Sequence, residues 1–123
     1  MEIGALGKSY CDGETIIGQG EAGDCMYVIQ EGKAEVIRES EGKEVRLSTL
    51  GKGDVFGEMS LFMREARSAT VRAIGDTRVL TIDKKTFMRR VNEDPSFAFR
   101  ILQEMACRIR KLDSDLVDLI TRP

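Results

Sequence analysis

Histidine and tryptophan are absent from this chain, and proline occurs only at Pro95 and Pro123. The missing histidine excludes the commonest general base, the Ser–His and Cys–His nucleophile pairs, and most zinc and haem ligand sets. Cysteine is scarce: Cys11, Cys25 and Cys107 stand far apart, with no C-x-x-C. An odd, scattered set reads as reduced core thiols of a cytosolic protein, not as a disulfide framework or redox pair. No apolar run approaches the ~20 residues that span a bilayer. The stretch "MEIGALGKSY" has neither a basic n-region nor an apolar h-region, so no secretory signal is expected. Neither charge sign dominates: 19 Lys and Arg against 21 Asp and Glu give a net charge of −2. A surface for phosphate backbones needs a clear basic surplus. The expectations are a cytoplasmic chain with no membrane segment, no direct nucleic-acid contact, no metal and no cofactor.

What is present fits one domain. The chain has 123 residues, 41% of them hydrophobic, enough for one core and not two. Residues 1–82 read as β. The runs "CMYVIQEG" (25–32) and "KAEVIRES" (33–40) are rich in β-formers and hinge at Gly32. "KEVRLSTL" (43–50) alternates Val45, Leu47 and Thr49 against Arg46, Ser48 and Leu50, and Gly42 before it is a hairpin signal. "SATVRAIG" (68–75) and "TRVLTID" (77–83) form a further pair with a turn at Gly75 and Asp76. Short strands with frequent glycine turns predict an antiparallel barrel or jelly-roll-like sandwich.

The period then changes. Asp83 can cap a helix over 83–94 that carries Phe87, Met88 and Val91 on one face. Asp94-Pro95 is a second start signal, an N-cap acid followed by proline at the first helical position. The helix it opens is expected over 95–120. Leu102, Met105, Ile109, Leu112, Leu116 and Leu119 recur at spacings of 3, 4, 3, 4 and 3. That is an a/d seam lasting about two and a half heptads. It either packs on the β portion or joins two copies of the chain, and its length favours a homodimer.

Between the strands lies "FGEMSLFMREARSATV" (56–71), with Glu58, Arg64, Glu65 and Arg67 in an otherwise mostly apolar and small-residue stretch. Gly57 lets the backbone approach a ligand closely. "EMSLFM" can form one helical turn whose free N–H groups favour an anion. Arg67 is a planar, permanently charged donor suited to phosphate oxygens, and Ser68 adds a hydroxyl. Glu58 only accepts, which suits sugar hydroxyls. Together these parts can hold a phosphate and a sugar side by side. The same two residues can equally form a surface ion pair of little worth.

The stretch resembles the phosphate-binding cassette of the cyclic nucleotide-binding domain family, whose pattern is F-G-E-x-A/S-L, five residues, then R-A/S/T-A. Phe56, Gly57, Glu58, Ser60, Leu61, Arg67, Ser68 and Ala69 fall in register. "GETIIGQGEAGDCMYVIQEGKAEV", "LGKGDVFGE" and "RILQEMACRIRKL" resemble the flanking segments of the family. The resemblance implies an antiparallel β-roll (a double-stranded β-helix) with a short phosphate-binding helix and a long closing C-terminal helix. It implies that Glu58 accepts from the ribose 2′-hydroxyl and that Arg67 pairs with the cyclic phosphate. Ser68, and the backbone of Gly57, Met59, Ser60 and Ala69, would complete the cassette. Val36, Leu47 and Phe56 would wall the base and sugar, and Arg108, Leu112 and Asp113 would lie on the capping part of the last helix. The implied ligand is cyclic AMP, with cyclic GMP possible. The implied role is a sensor that signals through its C-terminal helix. Two rivals are an interaction domain that has lost its ligand and, more remotely, a carboxylate-only hydrolase using Asp54 and Glu58.

Overall fold

The computed structural model describes residues 7–63 and 65–122. Residues 1–6, which make up most of the stretch read above for a leader, lie outside this range, as do Arg64 and Pro123. The described residues form β1 (Lys8–Tyr10), β2 (Thr15–Ile17), β3 (Cys25–Ser40), β4 (Lys43–Leu50), β5 (Val55–Phe56), α1 (Glu58–Met63), β6 (Thr70–Asp83), α2 (Lys84–Glu93) and α3 (Pro95–Thr121). All strand pairings are antiparallel. The sheet order is β1-β6-β3-β4, with β2 also on β6 and β5 also on β3. The chain is thus mainly β with C-terminal helices, in the antiparallel roll that the sequence implies.

The two longest strands depart from the predicted punctuation. Gly32 ends no strand: β3 runs through it, and its register against β6 slips between Glu31 and Lys33. Gly32 has φ +90°, and a Cβ there would lie 2.4 Å from the Asp76 carbonyl oxygen. Only glycine fits such a bulge. Gly75 and Asp76 likewise make no turn. They lie inside β6 and absorb the same slip, since Lys33 pairs with Ile74 while Glu31 pairs with Arg78. Thr77 Oγ1 donates to the Lys33 carbonyl at 2.8 Å, and Asp12 Oδ1 accepts from the Gly75 amide at 2.6 Å. A glycine in a bulge and a glycine in a turn look alike in sequence, and only the cross-strand partner separates them. The hairpin at Gly42 forms as expected: Glu41 and Gly42 both have positive φ and join Ser40 to Lys43.

The core comes chiefly from β3 and β6. Met26, Ile29, Val79 and Ile82 are its most deeply buried large side chains, and Ile17, Ala34, Leu50, Phe56 and Val71 are buried with them. Each large member contributes about 1.5–3 kcal/mol by leaving water. β4 contributes little. Val45 and Leu47 are half exposed, so the alternation there marks no buried face; only Leu50 at its end is buried. β4 ends the sheet order beside β3, and its residues from Lys43 to Thr49 are exposed. The cysteines also differ from expectation. All three are free, but Cys11 and Cys107 are exposed and only Cys25 is partly buried. Cys11 leaves β1 for a turn and Cys107 lies on an outward stripe of α3, so neither is a core thiol.

Two compact units are distinguishable, divided between Lys85 and Thr86. The first holds every strand and α1. The second holds most of α2 and all of α3. α2 follows directly on Asp83, the last residue of β6. Of its expected apolar face, Phe87 and Val91 are half-buried while Met88 is exposed. α3 starts as predicted: the Asp94 carboxylate accepts from the Ser96 amide at 3.1 Å and the Ser96 hydroxyl at 2.5 Å, and Pro95 takes the first turn. These Ser96 hydrogen bonds hold the Asp94 carboxyl below its ordinary range. Phe97 and Ile101 are buried. The Phe97 ring lies 5.7 Å from Phe87, with the Arg90 guanidinium 5.5 Å from its centroid. Along the seam, Leu102, Ile109, Leu112, Leu116 and Leu119 are all more than half exposed.

Candidate functional site

Strand β5 delivers the chain into the cassette. A turn at Gly51–Asp54 sets its approach: Asp54 Oδ2 accepts from the Gly51 amide at 2.8 Å, and the Asp54 carbonyl accepts from the Ile29 amide at 3.0 Å. The Asp54 carboxylate is therefore engaged in holding a turn. Gly57 follows with φ +76°, and a Cβ on it would fall 2.8 Å from Arg67 Nη1. Both the backbone angle and the close approach demand glycine there. α1 then begins at Glu58. Glu58, Ser60 and Leu61 face inward, while Met59, Phe62 and Met63 are more than half exposed. The Ser60 hydroxyl donates to the Glu65 carbonyl at 3.0 Å, which ties the helix to the loop that follows.

Arg67 is the centre of the arrangement. Only 6% of it is exposed, and Glu58 is exposed by 8%, which overturns the reading of the two as a surface ion pair. Arg67 Nη1 donates to the Gly57 carbonyl at 2.8 Å, and Nη2 donates to the Cys25 carbonyl at 3.0 Å. Its backbone is fixed as well: its amide donates to the Glu21 carbonyl and its carbonyl accepts from the Gly20 amide, both at 2.8 Å. The loop 18–24 is thereby laced to residue 67. Glu21 shapes that loop by accepting from the Gly18 amide at 2.9 Å. Gly23 comes so close that a Cβ on it would stand 2.3 Å from Arg67 Nε.

The guanidinium also lies over the Tyr27 ring, 5.5 Å from its centroid. Tyr27 stacks in turn on Phe56, with centroids 5.2 Å apart and planes 26° from parallel. Burial pushes the Tyr27 phenol up to about 12, and a hydrogen bond with the Cys25 thiol adds to this, while Arg67 opposes it. Gly23 and Tyr27 were not among the residues that the motif singles out. Gly23 sits in a glycine-rich loop, "GQGEAGD", and Tyr27 alternates with Cys25 along a strand; both signals read as fold and carry no hint of Arg67.

The remaining candidate residues are spread more widely. Ser68 is exposed and Ala69 half-buried directly after Arg67. Val36 is half-buried against the core and Leu47 is half exposed on β4. Phe56 is a core residue, 4% exposed, so almost none of its ring is left to line a pocket. Arg108, Leu112 and Asp113 belong to the second unit. Arg108 lies 3.9 Å from Glu104 one helical turn earlier, Leu112 is 67% exposed, and Asp113 is exposed. Arg64 lies outside the described residues. Among the described residues, no cluster of three or more histidine, cysteine, aspartate or glutamate side chains could hold a metal ion. No helix among them is long and apolar enough to cross a membrane.

The buried Arg67 guanidinium donates to neutral carbonyls, an arrangement suited to an anion beside it. A glutamate, also buried, opens α1 nine residues before Arg67. The family model of the cyclic nucleotide-binding domain matches residues 7–94, and the chain belongs to that family. It is 31% identical over 109 residues to the CRP-like cAMP-activated global transcriptional regulator of Mycobacterium tuberculosis, covering 88% of this chain and 49% of the relative. It is 44% identical over 85 residues to the cAMP-dependent protein kinase type II regulatory subunit of Drosophila melanogaster, covering 68% of this chain and 22% of the relative. The crystal structure of the catabolite activator protein of Thermus thermophilus superposes with a TM-score of 0.82 at 31% identity, covering 97% of this chain and 57% of that one. The chain thus spans about half the length of the bacterial relatives that it matches.

Proposed function

We propose that this chain binds cyclic AMP as a regulatory module and performs no chemistry on it. The observation that carries the reading is Arg67: a buried guanidinium, in register with the family cassette, whose hydrogen bonds go to the uncharged carbonyls of Gly57 and Cys25. A cyclic phosphate brings a negative charge to it and can take N–H groups that those carbonyls leave over. Glu58 is the acceptor for the ribose 2′-hydroxyl, and Ser68 with the backbone of 57–60 and 69 completes the phosphate site. Val36 and Leu47 offer apolar contact to the base or sugar.

Cyclic AMP is favoured over cyclic GMP because Ser68 has a hydroxyl for the phosphate but lacks the methyl of the threonine often found there in cyclic-GMP-selective relatives. Ligand binding is read out by α3, through Arg108, Leu112 and Asp113, as a shift between two populated states. The exposed stripe from Leu102 to Leu119 fits a second copy of the same helix in a parallel homodimer. The reading includes a cytoplasmic setting and no direct contact with nucleic acid by this chain. A thermal shift tests it: a ligand that binds only the folded state raises the unfolding temperature, so cyclic AMP must raise it while 5′-AMP does so far less.

A further inference from the structure

We infer that Tyr27 is the positioning residue of Arg67, its ring holding the guanidinium at the angle from which it meets the ligand phosphate. This rests on the reading of Arg67 given above. An arginine side chain has many rotamers, and fixing it costs conformational freedom that hydrogen bonds to carbonyls help to offset. A ring beneath the cation narrows that choice, because the guanidinium is drawn to the ring face by its quadrupole. The geometry is present: Arg67 Cζ lies over the Tyr27 ring at 5.5 Å.

Tyr27 is itself immobilised on three sides, which makes it a useful support. Within the sheet it pairs with Phe56 on β5 and Thr81 on β6. Its ring stacks on Phe56, a member of the core. Its hydroxyl lies 3.5 Å from Cys25 Sγ, and the Cys25 carbonyl is the one that accepts from Arg67 Nη2. The Tyr27 ring therefore touches both Phe56 and the Arg67 guanidinium and links the core to the cation. The hydroxyl is dispensable for this role, whereas the aromatic face is required.

Calorimetric titration with cyclic AMP on the parent, Tyr27→Phe, Tyr27→Leu, Arg67→Gln and the Tyr27→Leu/Arg67→Gln double variant tests the inference. Tyr27→Leu is expected to weaken binding roughly three- to thirtyfold. Tyr27→Phe is expected to recover most of that loss, and Tyr27→Leu to add nothing once Arg67 is glutamine. Equal losses in both backgrounds would overturn the positioning role and leave Tyr27 as packing alone. A second readout needs no nucleotide: the Arg67 Nε–Hε resonance of the parent, assigned by its loss in Arg67→Gln. It is expected to be displaced by the ring current, to stay displaced in Tyr27→Phe and to return in Tyr27→Leu. An undisplaced resonance in the parent would overturn the inference even if Tyr27→Leu failed to fold. A displaced resonance without cyclic AMP binding would refute the ligand and leave the contact between Tyr27 and Arg67 standing.

Discussion

The backbone of Gly23 and the guanidinium of Arg67 occupy adjoining space with no room between them: a methyl on residue 23 would stand 2.3 Å from Nε and 2.5 Å from Nη2. Gly23→Ala must therefore displace the end of the arginine, the more flexible of the two neighbours. The expected result is a loss of about 1–3 kcal/mol in cyclic AMP binding, the usual scale of overpacking. The loop backbone bonds to residue 67 remain, so the unfolding temperature without nucleotide should fall little. Calorimetry and thermal unfolding on the same variant check the two halves.

Arg67→Ala is expected to weaken cyclic AMP binding by about 2–5 kcal/mol, because a desolvated phosphate charge is left unpaired. Arg67→Lys should recover only part, as a lysine cannot form the two-pronged fork. Titration of both variants measures the difference. An alanine variant that binds as tightly as the parent would remove Arg67 from the phosphate.

Glu58→Gln should weaken binding of cyclic AMP more than binding of its 2′-deoxy analogue, since only the former presents the hydroxyl. Equal losses for the two ligands in parallel titrations would move Glu58 away from the sugar.

Much of this was legible in the sequence, and what was not has physical causes. The cassette from Phe56 to Ala69 is contiguous, so its register survives without any knowledge of the fold. The start of α3 is equally local, because Asp94, Pro95 and Ser96 carry it among themselves. What contiguity cannot show is partnership across the sheet. Gly32 and Gly75 read as turns because their bulge exists only once β3 and β6 are paired. The alternation of Val45 and Leu47 does not reveal that both are half exposed on β4. Tyr27 and Gly23 went unnoticed because their partner, Arg67, is some forty residues away in the chain.

The exposed seam on α3 gives a further expectation. Ile109→Glu with Leu116→Glu should yield a folded monomer, since each buried leucine or isoleucine contributes about 1.5–3 kcal/mol to a helix–helix contact. Sedimentation velocity across micromolar concentrations reads the change. A parent chain that sediments as a monomer throughout that range would count against the homodimer.

The most direct test of cyclic nucleotide binding by this chain is a calorimetric titration with cyclic AMP and cyclic GMP in parallel on the parent protein. The result expected is saturable binding of cyclic AMP to one site per chain, tighter than that of cyclic GMP. Tighter binding of cyclic GMP would refute the choice of purine, and no saturable heat with either nucleotide, together with no thermal shift, would contradict the central claim.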